Sequence, residues 1–354
     1  MSEPNVLRKF AGKKGWIIPV MLVVSLIANI LGLILPFLEI DEAFHSKVIY
    51  SLPHSVELMW EKKLYFIAAL ILGFSIVFPF IKLFSLFAVW FMPWKSKKRE
   101  KYLNAIELLG KWSYMDIFVV ILLLSLTSHQ GMISSTIHPG VYFFIGAITL
   151  SMITSEIIMT IARKKCNEES PVTFTSTKRR WMIFDNLYLG WIVPVLVIAS
   201  AAALIESLHA TFLRISQIFM VSRSFSISEI ATLMQEQKQW VLLVIMVGTL
   251  FVLPLFRLAI LLVSWITPLS PHSHVRVKHI IDVFSRWCML DVFGLALFLI
   301  TTEGKDLVKT EIQPGLYVVV VAIGLSYLLA LIAIMLNKAM IRGSLGAPES
   351  SDTP

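Results

Sequence analysis

The sequence predicts an all-α polytopic membrane protein whose eight transmembrane helices form two tandem four-helix units. Three observations predict this class. Hydrophobic residues make up 57% of the 354 residues and charged residues only 15%, whereas a soluble chain carries about 25% charged residues. The apolar residues cluster in runs of about 20, enough to cross a hydrocarbon core of about 30 Å. The two halves of the chain also align without a gap.

Eight apolar runs are long enough to span a bilayer. The predicted spans cover residues 16–37, 64–92, 112–128, 141–162, 187–207, 239–266, 287–302 and 316–336. The second and sixth are long, and each contains one proline, Pro79 or Pro254, at which we expect a helix kink. The first run is too long for the apolar part of a cleaved signal peptide, so it is predicted to be a retained signal anchor.

The distribution of Lys and Arg predicts the orientation. If the N-terminus is inside, the inside segments hold 21 of the 31 basic residues and the outside segments hold 8. The other two, Lys82 and Arg257, lie within predicted spans. Since basic residues are enriched in cytoplasmic loops, both termini are predicted to be cytoplasmic.

A shift of 175 residues superposes the two halves. GWIIPV then meets GWIVPV, PFIKLFSLFAVWFMP meets PLFRLAILLVSWITP, KWSYMDIF meets RWCMLDVF, and HPGVY meets QPGLY. The alignment pairs these motif residues: Pro79 with Pro254, Lys82 with Arg257, Trp112 with Trp287, Asp116 with Asp291, Pro139 with Pro314, and Gly140 with Gly315. Four spans per copy give both copies one orientation, which predicts a pseudo-two-fold axis along the membrane normal.

The repeat sets the predicted domain boundaries. These are a cytoplasmic N-terminus at 1–14, a first four-helix domain at 15–162, a cytoplasmic linker at 163–186, a second four-helix domain at 187–337 and a disordered cytoplasmic tail at 338–354. The outside segments after the first and fifth spans are too long for simple turns. We expect each to form a short strand pair and a short helix.

Lys82 and Arg257 are predicted to lie near the bilayer midplane, where a cation needs a partner. Asp116 and Asp291 occupy equivalent positions and are the expected partners; the carbonyl freed by each proline is a further acceptor. The Lys82–Asp116 pairing requires the third helix to begin earlier than its apolar run, near Ile106, and we predict that it does. The pairs are either structural salt bridges, or one of them also contacts a polar headgroup or carries a proton.

Other intramembrane polar residues are expected to face the interior of the bundle. They are Ser25, Asn29, Ser155, Glu156 and Glu206. Glu156 aligns with Leu331, so any role of this carboxylate belongs to the first half alone. Of the two intramembrane cations, Lys82 is the better candidate for a switchable site, because lysine can change its charge and arginine cannot.

Several function classes are excluded by what the sequence lacks. Only Cys166 and Cys288 are present, without a C-x-x-C pair, so no zinc site is predicted. No G-x-x-x-x-G-K-[ST], H-E-x-x-H or G-x-S-x-G motif occurs, so the chain is predicted to be neither an NTPase nor a hydrolase, and no cofactor is expected. The basic residues follow span ends, as the positive-inside rule requires, which argues against nucleic-acid binding.

The paired motifs PxxKL…W…P, GKWSYMD-[IV]-F and HPGVY resemble those of the paraquat-inducible protein A family (PqiA/LetA). The resemblance covers nearly all of 15–162 and 190–336. It implies a bacterial inner-membrane protein that moves lipid between the two membranes with periplasmic MCE-domain proteins. It further implies a polar network at Lys82, Asp116, Arg257 and Asp291, and four-helix units similar to tetraspanin or claudin bundles. Family members usually carry cytoplasmic zinc ribbons, which this chain lacks.

The predicted function is that of an inner-membrane subunit that loads or extracts phospholipid for a periplasmic MCE-domain partner, with proton coupling as an energy source. Two alternatives stay open. One is a tetraspanin-like scaffold that positions the partner, and the other is a small-solute or ion transporter that uses the charged pairs.

Overall fold

The fold is known from a computed structural model, which describes residues 6–10, 12–42, 48–127, 133–169, 187–216, 222–268, 271–303 and 310–344. Within these residues, eight helical stretches are long and apolar enough to span a membrane. They are 17–34, 65–91, 98–125, 139–165, 191–209, 240–266, 276–301 and 315–332. The predicted class, a polytopic α-helical membrane protein with eight spans, is confirmed.

The first half contains seven α-helices and three strands among its described residues. In chain order they are α1 (Ile17–Ile34), β1 (Leu38–Glu42), β2 (Val48–Tyr50), α2 (Leu52–Glu61), α3 (Tyr65–Leu70), α4 (Phe78–Phe91), α5 (Ser96–Gly110), α6 (Met115–Thr127), β3 (Ile133–Ile137) and α7 (Pro139–Glu169). A π-helical stretch, Ile71–Val77, joins α3 to α4, and a 3₁₀ turn, Lys111–Tyr114, joins α5 to α6.

The second half follows the same order. Its elements are α8 (Leu187–His209), β4 (Leu213–Ser216), β5 (Ser222–Phe225), α9 (Ile227–Glu236), α10 (Trp240–Val247), α11 (Leu253–Ile266), α12 (Pro271–Trp287), α13 (Leu290–Glu303), β6 (Thr310–Ile312) and α14 (Gly315–Ser344). A π-helical stretch, Gly248–Val252, joins α10 to α11. The bounds of α9 and α11 lie 175 residues after those of α2 and α4.

Each half carries a small antiparallel sheet beside a short helix. The strand orders are β2-β1-β3 and β5-β4-β6, and Leu38 pairs with Tyr50 on one side and with Ile137 on the other. The expected strand pair and short helix after the first and fifth spans are therefore present. The third strand of each sheet was not predicted, because it comes from a distant part of the chain, just before the last helix of its half.

The third membrane span of the first half, formed by α5 and α6, begins earlier than its apolar run. α5 starts at Ser96, and the membrane-spanning stretch is 98–125 rather than 112–128. Of its most apolar 18-residue window, 72% is buried inside the protein, against 28% for the first span. Since protein rather than lipid surrounds this helix, charged residues are tolerated within it. The span therefore begins before its apolar run, as expected, but at Ser96, ten residues earlier than the expected start near Ile106. The same extension occurs in the seventh span.

The core of the first half forms where α1, α4, α5 and α7 pack together. Fully buried members include Leu22, Leu86, Trp90, Leu103 and Met159. The approach of α1 to α7 is close: a Cβ added at Gly32 would lie 2.9 Å from the backbone nitrogen of Phe144. Small residues permit such close approach of helices in membranes. The second half has its own core, in which Val193, Leu258 and Leu329 are buried.

The chain divides into two compact units that do not follow the linker between the halves. The first unit comprises 1–171, 230–246 and 292–310, and the second comprises 172–229, 247–291 and 311–354. Within the first unit, the ring of Phe293 packs edge-on against that of Phe118, with 5.6 Å between their centroids. A side chain from the second half of the sequence therefore contributes to the core of the first unit. The predicted first domain, 15–162, does not include this residue.

Two helices extend beyond the predicted domain ends. α7 runs to Glu169, seven residues into the predicted linker, and 170–186 lie outside the described residues. α14 continues to Ser344, into the segment predicted to be disordered, and 345–354 lie outside the described residues.

Candidate functional site

Each half contains one long helix with a π-helical stretch directly before its proline. In this geometry an N–H group bonds to the carbonyl five residues earlier, as Phe78 does to Gly73. Pro79 and Pro254, the expected kink residues, lack an N–H group. The carbonyls of Phe74 and Thr249, five residues before them, are therefore left without a helical partner.

Hydrogen bonds from the third membrane span of each half satisfy these two carbonyls. The Ser113 hydroxyl donates to the Phe74 carbonyl oxygen over 3.1 Å, and the Met289 N–H group donates to the Thr249 carbonyl oxygen over 3.3 Å. Leaving a buried carbonyl without a hydrogen-bond donor costs about 1–3 kcal/mol. The donors are therefore a hydroxyl and an N–H group. The intramembrane cations Lys82 and Arg257 had been expected to bind these carbonyls.

The paired tryptophans mark the interruption of that third helix. Trp112 lies in the 3₁₀ turn between α5 and α6, and its ring packs against Phe74 at 6.2 Å between centroids. The Lys111 ammonium lies 6.0 Å from the centre of the same ring. Trp287 is the last residue of α12 and is half-buried. Both tryptophans therefore lie at the level where the proline-freed carbonyl is bound.

Lys82 lies on α4 and is 3% exposed. Its ammonium group interacts electrostatically with two carboxylates, first Glu107 on α5 and then Glu156 on α7. The Ser155 hydroxyl donates to Glu107 Oε1 over 3.2 Å. A Cβ added at Gly110 would lie 3.0 Å from Lys82 Nζ, so the glycine leaves room for the ammonium group against α5. One cation and two carboxylates from three helices therefore form a cluster in which Lys82 and Glu107 are buried and Glu156 is half-buried.

The predicted pairing of Lys82 with Asp116 is wrong. Lys82 faces Gly110, and Asp116 follows six residues later, roughly 10 Å further along the third helix. The polar neighbour of the Asp116 carboxyl group is the Ser75 hydroxyl in the π-helical stretch. Among the described residues, neither Ser75 Oγ nor Asp116 Oδ2 has a partner within hydrogen-bond distance and angle.

The predicted pairing of Arg257 with Asp291 is also replaced by other contacts. Arg257, 9% exposed on α11, donates from Nη1 to the Ser326 hydroxyl on α14 over 3.0 Å. Asp291 accepts a hydrogen bond from the Tyr327 hydroxyl on α14, with 2.6 Å between Tyr327 Oη and Asp291 Oδ2. The reason is again depth, since the two aspartates occupy equivalent positions on the third helix of their halves. α14, the last span of the second half, therefore supplies a partner for both Arg257 and Asp291.

The two Pro-Gly motifs join the last helix of each half to the segment that directly precedes the first strand of that half. The Gly140 N–H group donates to the Pro36 carbonyl oxygen over 3.1 Å, and the Gly315 N–H group donates to that of Thr211 over 2.9 Å. A Cβ at either glycine would lie 2.5 or 2.4 Å from the same oxygen. Pro139 is the first residue of α7 and Pro314 directly precedes α14, positions where the missing N–H group costs nothing.

Sequence reasoning missed three side chains that complete these contacts: Glu107, Ser326 and Tyr327. Glu107 aligns with Asp282 at the 175-residue offset, so an acid recurs in both halves and the repeat itself carried this signal. Ser326 and Tyr327 align with Ser151 and Met152. Serine thus recurs at the position of Ser326, as an acid does at the position of Glu107, whereas Tyr327 has no such counterpart.

No group of three His, Cys, Asp or Glu side chains arranged to hold a metal ion occurs within the described ranges. The polar groups that the protein does bring together in its spans are carboxylates, an ammonium, a guanidinium and hydroxyls. Such groups bind phosphate, polar headgroups or protons through charge-assisted hydrogen bonds.

A comparison with protein-family models matches the paraquat-inducible protein A family over residues 18–161 and again over 192–340. This chain belongs to that family. The resemblance of the paired motifs is thus confirmed, and each of the two matched regions covers one half of the chain.

One curated relative also matches, over a short region. A protein of Haemophilus influenzae described as a "probable intermembrane transport protein" is 30% identical over 96 residues, which is 26% of this chain and 23% of that protein. The chain therefore spans less than a quarter of the length of this relative. No solved structure matches.

Proposed function

We propose that this chain is the inner-membrane subunit of an intermembrane lipid transport system, in which it loads or extracts phospholipid for a periplasmic MCE-domain partner. Membership in the paraquat-inducible protein A family and the name of the Haemophilus influenzae relative support a role in membrane transport. The eight spans place the chain in a bilayer. The excess of basic residues in alternate loops supports cytoplasmic termini.

The observation that carries the proposal is the cluster of Lys82, Glu107 and Glu156, in which Lys82 and Glu107 are buried and Glu156 is half-buried. Ionisable side chains within membrane spans are costly and mark substrate or ion pathways. The cluster is held in a protein-filled part of the bundle, because most of the third span is buried inside the protein. A lipid headgroup brings both a phosphate for the ammonium group and, in phosphatidylethanolamine, an amine for a carboxylate.

The same cluster is proposed to couple transport to protons. Lysine and glutamate can each gain or lose a proton, whereas Arg257 in the second half keeps its charge. In this proposal, Lys82 and the two glutamates change their pairing when a headgroup or a proton arrives. Asp116 and Ser75 extend the polar path along the first half, and Arg257 and Asp291 keep a structural role in the second.

The test begins with gentle solubilisation from native membranes and mass spectrometry of the proteins and lipids that co-purify. We expect an MCE-domain protein and enriched phospholipid. Transfer of a fluorescent phospholipid from proteoliposomes to that partner should then follow a proton gradient. Recovery of the chain without such a partner and without enriched lipid would contradict the proposal.

A double variant separates transport from a scaffold. Lys82→Met with Glu107→Gln removes the cation and the carboxylate that acts on it most strongly, so the net charge of the span region is unchanged. A scaffold would tolerate this change, whereas a transporter that uses the cluster should lose phospholipid transfer while its partner still co-purifies. A small-solute or ion transporter would instead give a solute-dependent signal in liposomes without any partner.

A further inference from the structure

Phe118 and Phe293 are equivalent residues of the two halves, and their side chains contact each other. Phe118 ends the motif KWSYMDIF and Phe293 ends RWCMLDVF, so the 175-residue offset relates them. Their rings meet edge-on, with 5.6 Å between centroids and 74° between planes; both side chains are 0% exposed and belong to the first compact unit. In two copies related by a two-fold axis, a residue touches its own equivalent only where the axis passes between them. This contact is therefore the place where the predicted pseudo-two-fold axis would pass.

Both rings lie one turn after a break in the third span of their half. α6 begins three residues before Phe118, directly after the 3₁₀ turn Lys111–Tyr114. α13 begins three residues before Phe293, directly after the non-helical pair 288–289. A short irregular stretch inside a long helix often marks a hinge. The two helices that carry the rings can therefore tilt at these breaks without bending the helices that precede them.

The break in the first half is connected to the helix that carries Lys82. The Ser113 hydroxyl, within the 3₁₀ turn, donates to the Phe74 carbonyl oxygen of the π-helical stretch. That stretch, Ile71–Val77, leads directly into α4, on which Lys82 lies. A change in the surroundings of Lys82 that moves α4 would thus reach the start of α6 through this hydrogen bond.

We propose that the Phe118–Phe293 contact is a gate, which opens when α6 and α13 tilt at their breaks and lets phospholipid enter between these two helices. The inference rests on the proposed transport function and names the element that closes the path. Transporters built from repeats hold their substrate at the repeat interface and open it by moving one repeat against the other. Apolar constrictions keep water out until they open. An acyl chain that enters replaces the ring contact with another apolar contact, so opening does not expose the rings to water.

The first test locks the contact in the full-length chain. Phe118→Cys and Phe293→Cys are combined in a background with Cys166→Ser and Cys288→Ala, and the two thiols are joined by a short, membrane-permeant bis-methanethiosulfonate. Transfer of a fluorescent phospholipid from proteoliposomes to the co-purified partner is then measured. We expect joining to lower the transfer rate at least tenfold and a reducing agent to restore it. Equal transfer by the joined and the reduced protein would overturn the gate, because a contact that only fills the core does not have to open.

Phe37 and Phe144 provide the matched control. Their rings also meet edge-on, with 5.6 Å between centroids and 73° between planes, both side chains are buried, and both residues lie in the first half. Phe37→Cys with Phe144→Cys, in the same background, should transfer phospholipid equally whether the thiols are joined or reduced. An equal loss on joining this pair would show that any covalent constraint stops transfer, which would overturn the assignment of the gate to Phe118 and Phe293.

A second readout uses single variants and does not depend on transfer. Phe118 and Phe144 are both 0% exposed, so a cysteine at either position should react slowly with N-ethylmaleimide in detergent. Addition of short-chain phosphatidylethanolamine should speed the alkylation of Phe118→Cys several-fold, because an open gate admits the reagent, and leave Phe144→Cys unchanged. An unchanged rate for Phe118→Cys would overturn the gate. Lipid-dependent alkylation without any transfer by the wild type would instead support the gate and contradict the proposed function.

Discussion

In the first half of the chain, the intramembrane cation Lys82 lies between two carboxylates, whereas in the second half Arg257 donates to the hydroxyl of Ser326. The aspartates differ as well. Asp291 accepts a hydrogen bond from Tyr327, while Asp116 Oδ2 has no hydrogen-bond partner among the described residues. The backbone around both sites is nevertheless alike, with a π-helical stretch before each proline and a carbonyl bound from the third helix.

The comparison shows that the two halves share the π-helical stretch, the proline and the Pro-Gly motif. They differ in the partners of their intramembrane charged residues. Proline and glycine control backbone hydrogen bonding and close approach, so they recur in both halves. A charged side chain needs only a polar or oppositely charged group nearby, and these groups differ between the two halves. Shared features should therefore respond equally to mutation in both halves, and the charged residues should respond unequally.

The largest difference is expected for Lys82→Met against Arg257→Met. Removing Lys82 takes away a cation that acts on two carboxylates, one of them the buried Glu107, and breaking a buried pair costs about 3–5 kcal/mol. Removing Arg257 leaves one neutral hydroxyl, which costs about 1–2 kcal/mol. Thermal unfolding of the two purified variants in one detergent checks this. Equal losses would show that the two cations have equivalent surroundings.

The glycines of the Pro-Gly motifs should give large and equal effects. In Gly140→Ala and Gly315→Ala the new Cβ would meet the backbone oxygen of Pro36 at 2.5 Å or of Thr211 at 2.4 Å. The helix must then move away from the segment before β1 or β4, at about 1–3 kcal/mol. Gly146→Ala and Gly324→Ala are matched controls on the same two helices, because nothing lies within 4 Å of the new atom there. Unfolding midpoints of the four variants should fall into two groups.

An intermediate effect is expected for Tyr327→Phe. The variant removes the hydroxyl that donates to Asp291 and keeps the ring, so the loss of a charge-assisted hydrogen bond should cost about 1.5–3 kcal/mol. The equivalent residue of the first half is Met152, and Met152→Leu should leave the stability nearly unchanged, since no hydrogen bond is lost. If Tyr327→Phe unfolds at the wild-type temperature, the contact to Asp291 adds nothing to stability.

The smallest effect distinguishes the two donors to the proline-freed carbonyls. Ser113→Ala removes the hydroxyl that donates to Phe74, at about 1 kcal/mol. In the second half the donor is the backbone N–H group of Met289, so Cys288→Ala, at the position equivalent to Ser113, should have almost no effect. Chemical unfolding of both variants measures the difference, and a loss in Cys288→Ala would show that its thiol has a structural role.

The eight spans were predictable because length and hydropathy alone decide whether a helix can cross a bilayer. The family was predictable because its motifs recur at one offset. The prolines at 79 and 254 identified where two helices change geometry, since a missing N–H group acts whatever the surroundings. The start of α5 at Ser96 was foreseen only in part, as its first turns are polar and their burial comes from neighbouring helices.

What the sequence by itself determined is therefore the number of spans, the positions of the two proline interruptions, and the presence of a cation and an aspartate in each half. Only the tertiary structure decided which groups meet. Lys82 faces Glu107 and Glu156 because α4, α5 and α7 pack at a particular depth and rotation, and Asp116 lies roughly 10 Å beyond. Depth and rotation depend on packing between helices, which a residue pattern along one helix does not contain.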